Sequence, residues 1–345
     1  MIYNKIKKDL LKEQKTWLIT GVAGFIGSNL AETLLKLNQK VISLDNFSTG
    51  HHYNLKHIEN SVTSKEWKNF TFIEGDITNF ETCKEITKEV DIVLHQAALG
   101  SVPRSIDTPV VSNHANVTGF LNMITAAKDN GVKRFVYASS SSVYGDSQEL
   151  PKVEERTGNL LSPYAVTKYV NELYMGVFQK CYGMEAIGLR YFNIFGKRQD
   201  PNGAYAAVIP KWIGKILNQE ELFINGDGET SRDFTYIENV IQANILAGTT
   251  DNKEAFGQVF NTAAGGRETL NNLYLSIIED LKKTLPKLEI KNAIYRDFRA
   301  GDIRHSNADI TKIQKLLGYK PTHSLKEGLN ESIDWYINDI KGSIK

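Results

Sequence analysis

The sequence predicts an α/β fold, a doubly wound parallel sheet with a smaller C-terminal α/β domain that binds substrate. Three observations predict it. Short β-rich runs alternate with helical patterns through the first half of the 345 residues, the order expected of parallel strands joined by crossover helices. Those runs are near-continuously apolar, as strands buried on both faces are. After about Asn193 the strands become short and irregular and polar loops intervene, so a second domain is expected there. The division is placed between residues 1–192 and 193–345, with segments interleaving near the boundary.

The elements follow in order. Met1 to Gln14 is Lys-rich and patterned as an amphipathic helix ahead of the first strand. It has no long apolar core of the kind a signal peptide carries. Strands are read at residues 16–20, 40–44, 70–74, 91–96, 134–139 and 185–191, and the stretches between them are long enough for crossover helices. In the second half, residues 221–225 and 258–262 read as short strands, with loops such as 226–233 between them. A ligand cleft is expected between the smaller domain and the carboxyl ends of the parallel strands.

Composition narrows the class. At 41% hydrophobic and 23% charged residues the chain reads as globular and soluble. A formal net charge of +1 gives no ground to expect nucleic acid or a membrane surface as partner. The longest apolar runs are strand-sized, too short for a transmembrane helix. Two cysteines, Cys83 and Cys181, are too few for a disulfide framework, and a cytoplasmic location is the simplest expectation. The seven histidines are scattered with no metal-ligand spacing, so no metal site is expected. His51-His52 falls in a polar loop and is read as solvated.

The first strand runs into Gly21-Val22-Ala23-Gly24-Phe25-Ile26-Gly27. Gly21 permits a tight turn, Gly24 lets the backbone approach a pyrophosphate, and Gly27 lets the following helix pack close to the strand. The helix N-terminus then offers unpaired N–H groups to the phosphates. A strand before and a helix after are the context that this dinucleotide-binding fingerprint requires, so the first domain is read as Rossmann-type. Asp45 ends the second strand about 20 residues on, where an acid binds both ribose hydroxyls of the adenosine. A carboxylate there repels a 2′-phosphate and favours NAD over NADP. Gly75-Asp76-Ile77 follows the third strand, within reach of the adenine. His95-Gln96-Ala97-Ala98 follows the fourth, where small residues leave room for the cofactor.

Tyr164 and Lys168 stand four residues apart in Ser162-Pro163-Tyr164-Ala165-Val166-Thr167-Lys168. On a helix they lie on one face. An unassisted phenol titrates near ~10 and is a poor base at neutral pH, and a lysine beside it favours the phenolate. With the fingerprint upstream and the serine run Ser139–Ser142 between, the pattern points to an enzyme that moves a proton and a hydride at one carbon.

These residues together resemble the extended short-chain dehydrogenase/reductases that act on nucleotide sugars. The resemblance rests on Gly-x-x-Gly-x-x-Gly, Asp45-Asn46-Phe47-Ser48-Thr49-Gly50, Ser139–Ser142 before Val143-Tyr144-Gly145, and Tyr164-x-x-x-Lys168. It continues through Arg190-Tyr191-Phe192-Asn193, Arg232-Asp233-Phe234 and Arg299-Ala300-Gly301-Asp302, so it covers nearly the whole chain. It is nearest to the bacterial UDP-N-acetylglucosamine 4-epimerases. Sugar-nucleotide 4,6-dehydratases place Thr-Asp-Glu where this chain has Ser140, Ser141 and Ser142. The hydroxyl is kept and the elimination carboxylates are absent, which argues against a dehydratase.

The resemblance implies an epimerisation at C4 through a transient 4-ketose, with NAD held as a prosthetic group. It makes Tyr164 the base, Lys168 its partner and Ser140 the group that holds O4. Phe25, Ile26, Asn46, Ser48, Thr49, Gly50, Asn116 and Tyr191 join the cofactor site, as do Tyr164 and Lys168, the lysine bonding the nicotinamide ribose. Arg232 and Arg299 are implied for the diphosphate and Asp302 for the uridine ribose. Asn193 and backbone near Ala206 to Val208 are implied for the nucleotide, and Ser101, Ser141 and Ser142 for the sugar pocket. Ser306 borders the sugar's 2-substituent, where a tyrosine resembles enzymes limited to plain hexoses and a serine leaves space for an N-acetyl group. Homodimers through paired helices are usual for the family. A 4-epimerase of plain UDP-hexoses, or a UDP-uronate epimerase or decarboxylase, is the nearest rival. A non-catalytic NAD-binding regulator on the same fold is the rival of another class, although such proteins lose the Tyr and Lys.

Overall fold

The computed structural model describes residues 2–201, 206–298, 303–340 and 342. The amphipathic N-terminal segment forms α1 (Ile2–Leu10). Leu10, with Tyr3 and Ile6 partly buried beside it, packs on the main core. Gln39 Nε2 donates to Leu10 O at 2.6 Å and Gln39 Oε1 accepts from Trp17 Nε1 at 3.1 Å, so one buried amide ties this helix to the sheet.

The strands and crossovers then alternate. β1 (Thr16–Thr20) leads through α2 (Phe25–Lys36) to β2 (Lys40–Asp45). α3 (His52–Ser61) and α4 (Ser64–Trp67) precede β3 (Phe70–Glu74), and α5 (Phe80–Ile86) precedes β4 (Ile92–His95). α6 (Val102–Asp107), α7 (Pro109–Asn113), a π-helical stretch at His114–Thr118 and α8 (Gly119–Asp129) lead to β5 (Arg134–Ser140). A short 3₁₀ turn, Ser141–Tyr144, and α9 (Pro163–Tyr182) lead to β6 (Glu185–Tyr191). Beyond it come β7 (Ile194–Phe195), α10 (Val208–Leu217), β8 (Phe223–Asn225), β9 (Ser231–Arg232), β10 (Thr235–Tyr236) and α11 (Ile237–Thr249). The chain closes with β11 (Gln258–Thr262), β12 (Glu268–Thr269), α12 (Leu270–Thr284), β13 (Ile294–Arg296), β14 (His305–Ser306), α13 (Thr311–Leu317) and α14 (Leu325–Ile340).

Seven strands form one sheet in the order β11-β6-β5-β4-β1-β2-β3, every pair parallel. This is the doubly wound, Rossmann-type layout, and the order reverses direction beside β1, where ligands bind. The six strands read in the first half all form, with ends shifted by a residue or so. Residues 258–262 do not stay with the short strands of the second half. They run as β11 alongside β6, from Gln258 opposite Ile187 to Thr262 opposite Tyr191. α11, just before, is buried along most of its length, and Gly248 packs against the Trp17 ring. A five-residue strand with two apolar residues, Val259 and Phe260, looks the same at the edge of a large sheet as in a small one, so the sequence does not name its partner strand.

The remaining strands form small sheets: β10 with β7, β12-β9-β14, and β13 with β8. α10, α12 and α14 cover them through Trp212, Ile213, Leu273, Ile277, Leu329 and Ile333. No helix among the described residues is long and apolar enough to cross a membrane.

Candidate active site

The turn after β1 is built so that only glycine fits. Gly21 has φ +74°, and a Cβ there would lie 2.8 Å from Ala97 N. A Cβ on Gly27 would lie 2.2 Å from Gly21 O. The turn therefore touches both the start of α2 and the loop after β4. Ala97 N donates to Thr20 Oγ1 at 3.2 Å, and Thr20 Oγ1 also meets His95 Nδ1 at 2.9 Å, which fixes that loop. A groove of about 690 Å³ opens over this turn.

Gly21, Gly24, Phe25, Ile26 and Gly27 line the groove, with Asp45, Asn46, Ser48, Thr49, Asp76, Ile77, Gln96, Ala97, Ala98 and Ser101. Asp45 is 8% exposed. One carboxylate oxygen accepts from Ala23 N at 2.9 Å and the other from Phe47 N at 2.8 Å. Burial pushes its carboxyl up, against the backbone donors. Each oxygen keeps acceptor capacity for a ribose hydroxyl. Asn46 Nδ2 donates to Asp76 Oδ2 at 2.8 Å. Burial pushes the Asp76 carboxyl up, but hydrogen bonds from Thr78 and Asn46 outweigh it and hold it low.

Five residues expected at the cofactor, Gly50, Asn116, Tyr164, Lys168 and Tyr191, are not on the groove wall. Gly50 packs against Ala23, whose side chain lies 2.8 Å from where its Cβ would be. Asn116 Oδ1 accepts from Leu99 N, and its Nδ2 donates to Leu99 O and Thr167 Oγ1, tying the loop after β4 to α9. Tyr191 donates to Gln96 Oε1 at 3.0 Å and shares Asn244.

α9 begins with Ser162 Oγ accepting from Ala165 N and Pro163 in its first turn, an arrangement suited to a helix start. This places Tyr164 one turn above Lys168. Ser140, at the end of β5, is the side chain that acts on the Tyr164 phenol and favours its ionisation. Tyr164 N donates to Ser105 Oγ at 3.0 Å, which seats α9 on α6. Lys168 is 4% exposed, its Nζ donates to Ala138 O at 2.8 Å and lies 5.9 Å from the Tyr164 ring centroid. Burial lowers the Lys168 ammonium to about 8. Burial raises the Tyr164 phenol, and Ser140 opposes that rise. Of the serine run, Ser139 turns away to Glu172 at 2.6 Å, while Ser142 N donates to Ser140 Oγ. Ser141 follows in the same 3₁₀ turn, and the Ser142 hydroxyl is buried with no protein partner.

A second cavity of about 690 Å³ lies beyond, sharing Ala206 and Ala207 with the groove. Asn193, Val208 and Arg232 line it, as do Lys211, Lys215 and Arg296. Four cationic side chains and no acid face it among the described residues. Asn193 Nδ2 donates to Asp233 O at 3.1 Å. Ser306 pairs with Arg232 across the β14–β9 ladder. Arg299 and Asp302 lie outside the described residues.

Residues 17–263 match the NAD dependent epimerase/dehydratase family. The chain belongs to that family. A putative UDP-glucose 4-epimerase of Methanocaldococcus jannaschii is 35% identical over 93% of this chain and 98% of its own length. The structure of a UDP-N-acetylglucosamine 4-epimerase from Methanobrevibacter ruminantium M1, in complex with UDP-N-acetylmuramic acid, is 38% identical with a TM-score of 0.85, over 95% of this chain and 99% of that one. A UDP-glucuronic acid 4-epimerase from Bacillus cereus, in complex with UDP-glucuronic acid and NAD, is 32% identical with a TM-score of 0.80, over 94% and 99%.

Within this epimerase/dehydratase framework, sequence reasoning missed the cations Lys211, Lys215 and Arg296. The two lysines stand at i and i+4 on α10, a spacing that shares a face. Arg296 reaches the cavity because β13 pairs with β8, opposite Asn225, and its guanidinium stacks 3.1 Å from the Phe223 centroid. That pairing has no local sequence signature. Arg104 and His114 were also missed on the wall of the groove.

Proposed function

We propose that this enzyme of the UDP-sugar 4-epimerase type interconverts UDP-N-acetylglucosamine and UDP-N-acetylgalactosamine, with NAD as resident cofactor. The observation that carries the reading is the meeting of Ser140, Tyr164 and Lys168 where β5 ends and α9 begins, in a chain that also holds a glycine-turned groove and a cation-lined cavity. The groove fits a dinucleotide without a 2′-phosphate, because its turn admits no Cβ and Asp45 ends β2. Gly21, Gly24 and Gly27 would hold the pyrophosphate over the start of α2, and Asp45 the adenosine ribose. When bound, NAD supplies a reversible hydride acceptor for C4.

The chain's own residues do the rest. Tyr164, as phenolate, takes the proton of the sugar 4-hydroxyl and returns it. Ser140 bonds O4 and keeps it against the phenol. Burial alone would hold the phenol protonated, so a positive charge beside it is required. Lys168 supplies that charge at neutral pH, since it stays protonated below about 8. Arg232 and Arg299 take the diphosphate, because a guanidinium fork matches phosphate oxygens, with Lys211, Lys215 and Arg296 adding to the field. Asp302 takes the uridine ribose, Asn193 and the Ala206–Val208 backbone the nucleotide, and Ser101, Ser141 and Ser142 the sugar. Ser306, in register with Arg232, leaves volume for an N-acetyl group.

The NAD-binding part takes in the large sheet with α11 and β11, and the UDP-sugar part the small sheets with α10, α12 and α14. A second copy covers the apolar outer faces of α9 and α6–α7, where Leu173, Val177, Ile106 and Val110 are exposed. The deciding experiment incubates the protein with a panel of UDP-sugars, acetylated, plain and uronic, and identifies products by NMR. Inverted C4 with unchanged mass, fastest for the acetylated pair, is expected. Loss of one water would mark a dehydratase, and a faster uronate would move the assignment to that sugar.

A further inference from the structure

The strongest unexplained feature is a buried ion pair on the face of α9 that carries Tyr164 and Lys168, one turn beyond the lysine. Glu172 is 8% exposed and Arg190 2% exposed. Glu172 Oε1 accepts from Arg190 Nε at 2.8 Å and from Ser139 Oγ at 2.6 Å, and Oε2 accepts from Arg190 Nη2 at 2.7 Å. Arg190 Nη1 donates to Glu154 O at 2.9 Å, and the guanidinium faces the Tyr144 ring at 4.9 Å. Both carboxylate oxygens are engaged, in the fork geometry that fixes direction as well as distance.

Stability alone does not explain such a pair. Taking two charges out of water costs much of what their attraction returns, and well-packed apolar residues often do as well. The use best attested for a buried polar group is to fix register.

Its place in the fold says which register is fixed. Tyr164, Lys168 and Glu172 are spaced by four residues, so they stack along one stripe of α9. Three consecutive residues at the end of β5 meet that stripe one by one. Ala138 O takes Lys168 Nζ, Ser139 Oγ takes Glu172, and Ser140 meets the Tyr164 phenol. Arg190 stands opposite Ser139 on the neighbouring strand β6. The carboxylate of Glu172 is thus held by two adjacent strands at once, which fixes both the rotation of α9 and its height above the sheet.

We propose that Ser139, Glu172 and Arg190 form a positioning triad that sets α9 so that the Tyr164 phenol meets Ser140 and Lys168. None of the three is catalytic, since they act through Tyr164. The inference rests on Tyr164 being the proton-transfer group of the proposed epimerase. Rotation or sliding of a helix by a fraction of a turn moves a side-chain tip by about an ångström, and a misplacement of that size can cost ~10²-fold in rate.

The test uses Ser139→Ala and Glu172→Gln on the protein as purified. Two readouts are taken. The first is the ionisation midpoint of the Tyr164 phenol, from tyrosinate absorbance as the difference against Tyr164→Phe in the same background. The second is kcat and KM with the UDP-sugar that wild type turns over. The triad predicts a midpoint raised by about one pH unit or more, because burial then dominates over Ser140 and Lys168. It predicts kcat down by roughly 10–10²-fold, with KM within about threefold and dinucleotide content unchanged. A midpoint that does not move, with kcat within about twofold of wild type, would overturn the proposal whatever happens to the melting temperature. Where Glu172→Gln fails to fold, Ser139→Ala decides, since it removes one hydroxyl and leaves the ion pair. If wild type converts no UDP-sugar, the epimerase reading fails, and the phenol titration still tests the triad by itself.

Discussion

Lys168→Met should make the protein more stable and nearly inactive at the same time. The lysine is almost wholly buried, and burial lowers its ammonium from 10.5 to about 8. Each unit of such a shift corresponds to ~1.4 kcal/mol, so keeping the charge at neutral pH costs the folded state about 3 kcal/mol. Methionine has a similar length and no charge to bury. It loses the hydrogen bond from Nζ to Ala138 O, which is 2.8 Å long and contributes on the order of 1 kcal/mol. The balance is a gain of about 2 kcal/mol at pH 7.

The sign against pH follows from proton counting. Between about 8 and 10.5 the unfolded lysine is protonated and the folded one is not, so wild-type stability rises with pH through that window. The penalty is full below about 8 and gone above 10.5. Urea unfolding of nucleotide-free wild type and Lys168→Met, at pH 7 and at several values up to 10.5, should show the variant ahead at neutral pH. Its lead should shrink across the window at unchanged m-value. Turnover by the variant should fall by ~10²-fold or more, because the phenol loses its cation. A variant less stable than wild type at pH 7, or a gap constant from pH 7 to 10.5, would refute the claim that a buried charge is kept here for chemistry.

Three other outcomes are expected. Tyr164→Phe should lose at least ~10²-fold in kcat while keeping its fold and its dinucleotide, as measured by progress curves and by absorbance of the nucleotide released on denaturation. Gly27→Ala should purify without NAD and be destabilised by ~1–3 kcal/mol, because the new methyl would lie 2.2 Å from Gly21 O. Ser306→Tyr should abolish turnover of UDP-GlcNAc and UDP-GalNAc and spare UDP-Glc and UDP-Gal, read as the ratio of kcat/KM values for the two pairs. Equal handling of acetylated sugars by that variant and wild type would remove Ser306 from the sugar pocket.

The parts legible in the sequence were those with a short-range signature. The glycine turn, the acid closing β2 and the i, i+4 pair Tyr164–Lys168 each depend on spacing within one strand–turn–helix unit; the structure puts the glycines and Asp45 on the wall of one groove and Lys168 one turn from Tyr164 on α9. The serine run was legible only as a run. That Ser139 faces Glu172 while Ser140 faces the phenol depends on where β5 ends and the 3₁₀ turn begins. Asn116 and Tyr191 read as cofactor residues, yet their polar groups engage Leu99, Thr167, Gln96 and Asn244. The place of β11 in the large sheet and of Arg296 at the cavity come from long-range pairings, β11 with β6 and β13 with β8, that no local pattern encodes, whereas Lys211 and Lys215 share one face of α10 by their spacing.

Those late-found cations bear on how one protein keeps two diphosphate ligands apart. The groove over the glycine turn carries Asp45, Asp76 and Asp200 against Arg104, while the neighbouring cavity carries four cations and no acid among the described residues. A dinucleotide can enter the acidic groove because its pyrophosphate is met by backbone N–H groups at a helix start, which need no side-chain charge. Its ribose hydroxyls are donors to the acids, and the oxidised nicotinamide offsets part of its negative charge. A UDP-sugar has no such offset, so on the proposed function its diphosphate would be drawn to the guanidinium and ammonium groups of the second cavity. The small residues Ala206 and Ala207 border both spaces. The proposed function requires the sugar end of one ligand and the nicotinamide end of the other to meet at Tyr164 on α9. The charge pattern sorts the two ligands, and the helix register decides whether the proton transfer between sugar and phenol is in reach.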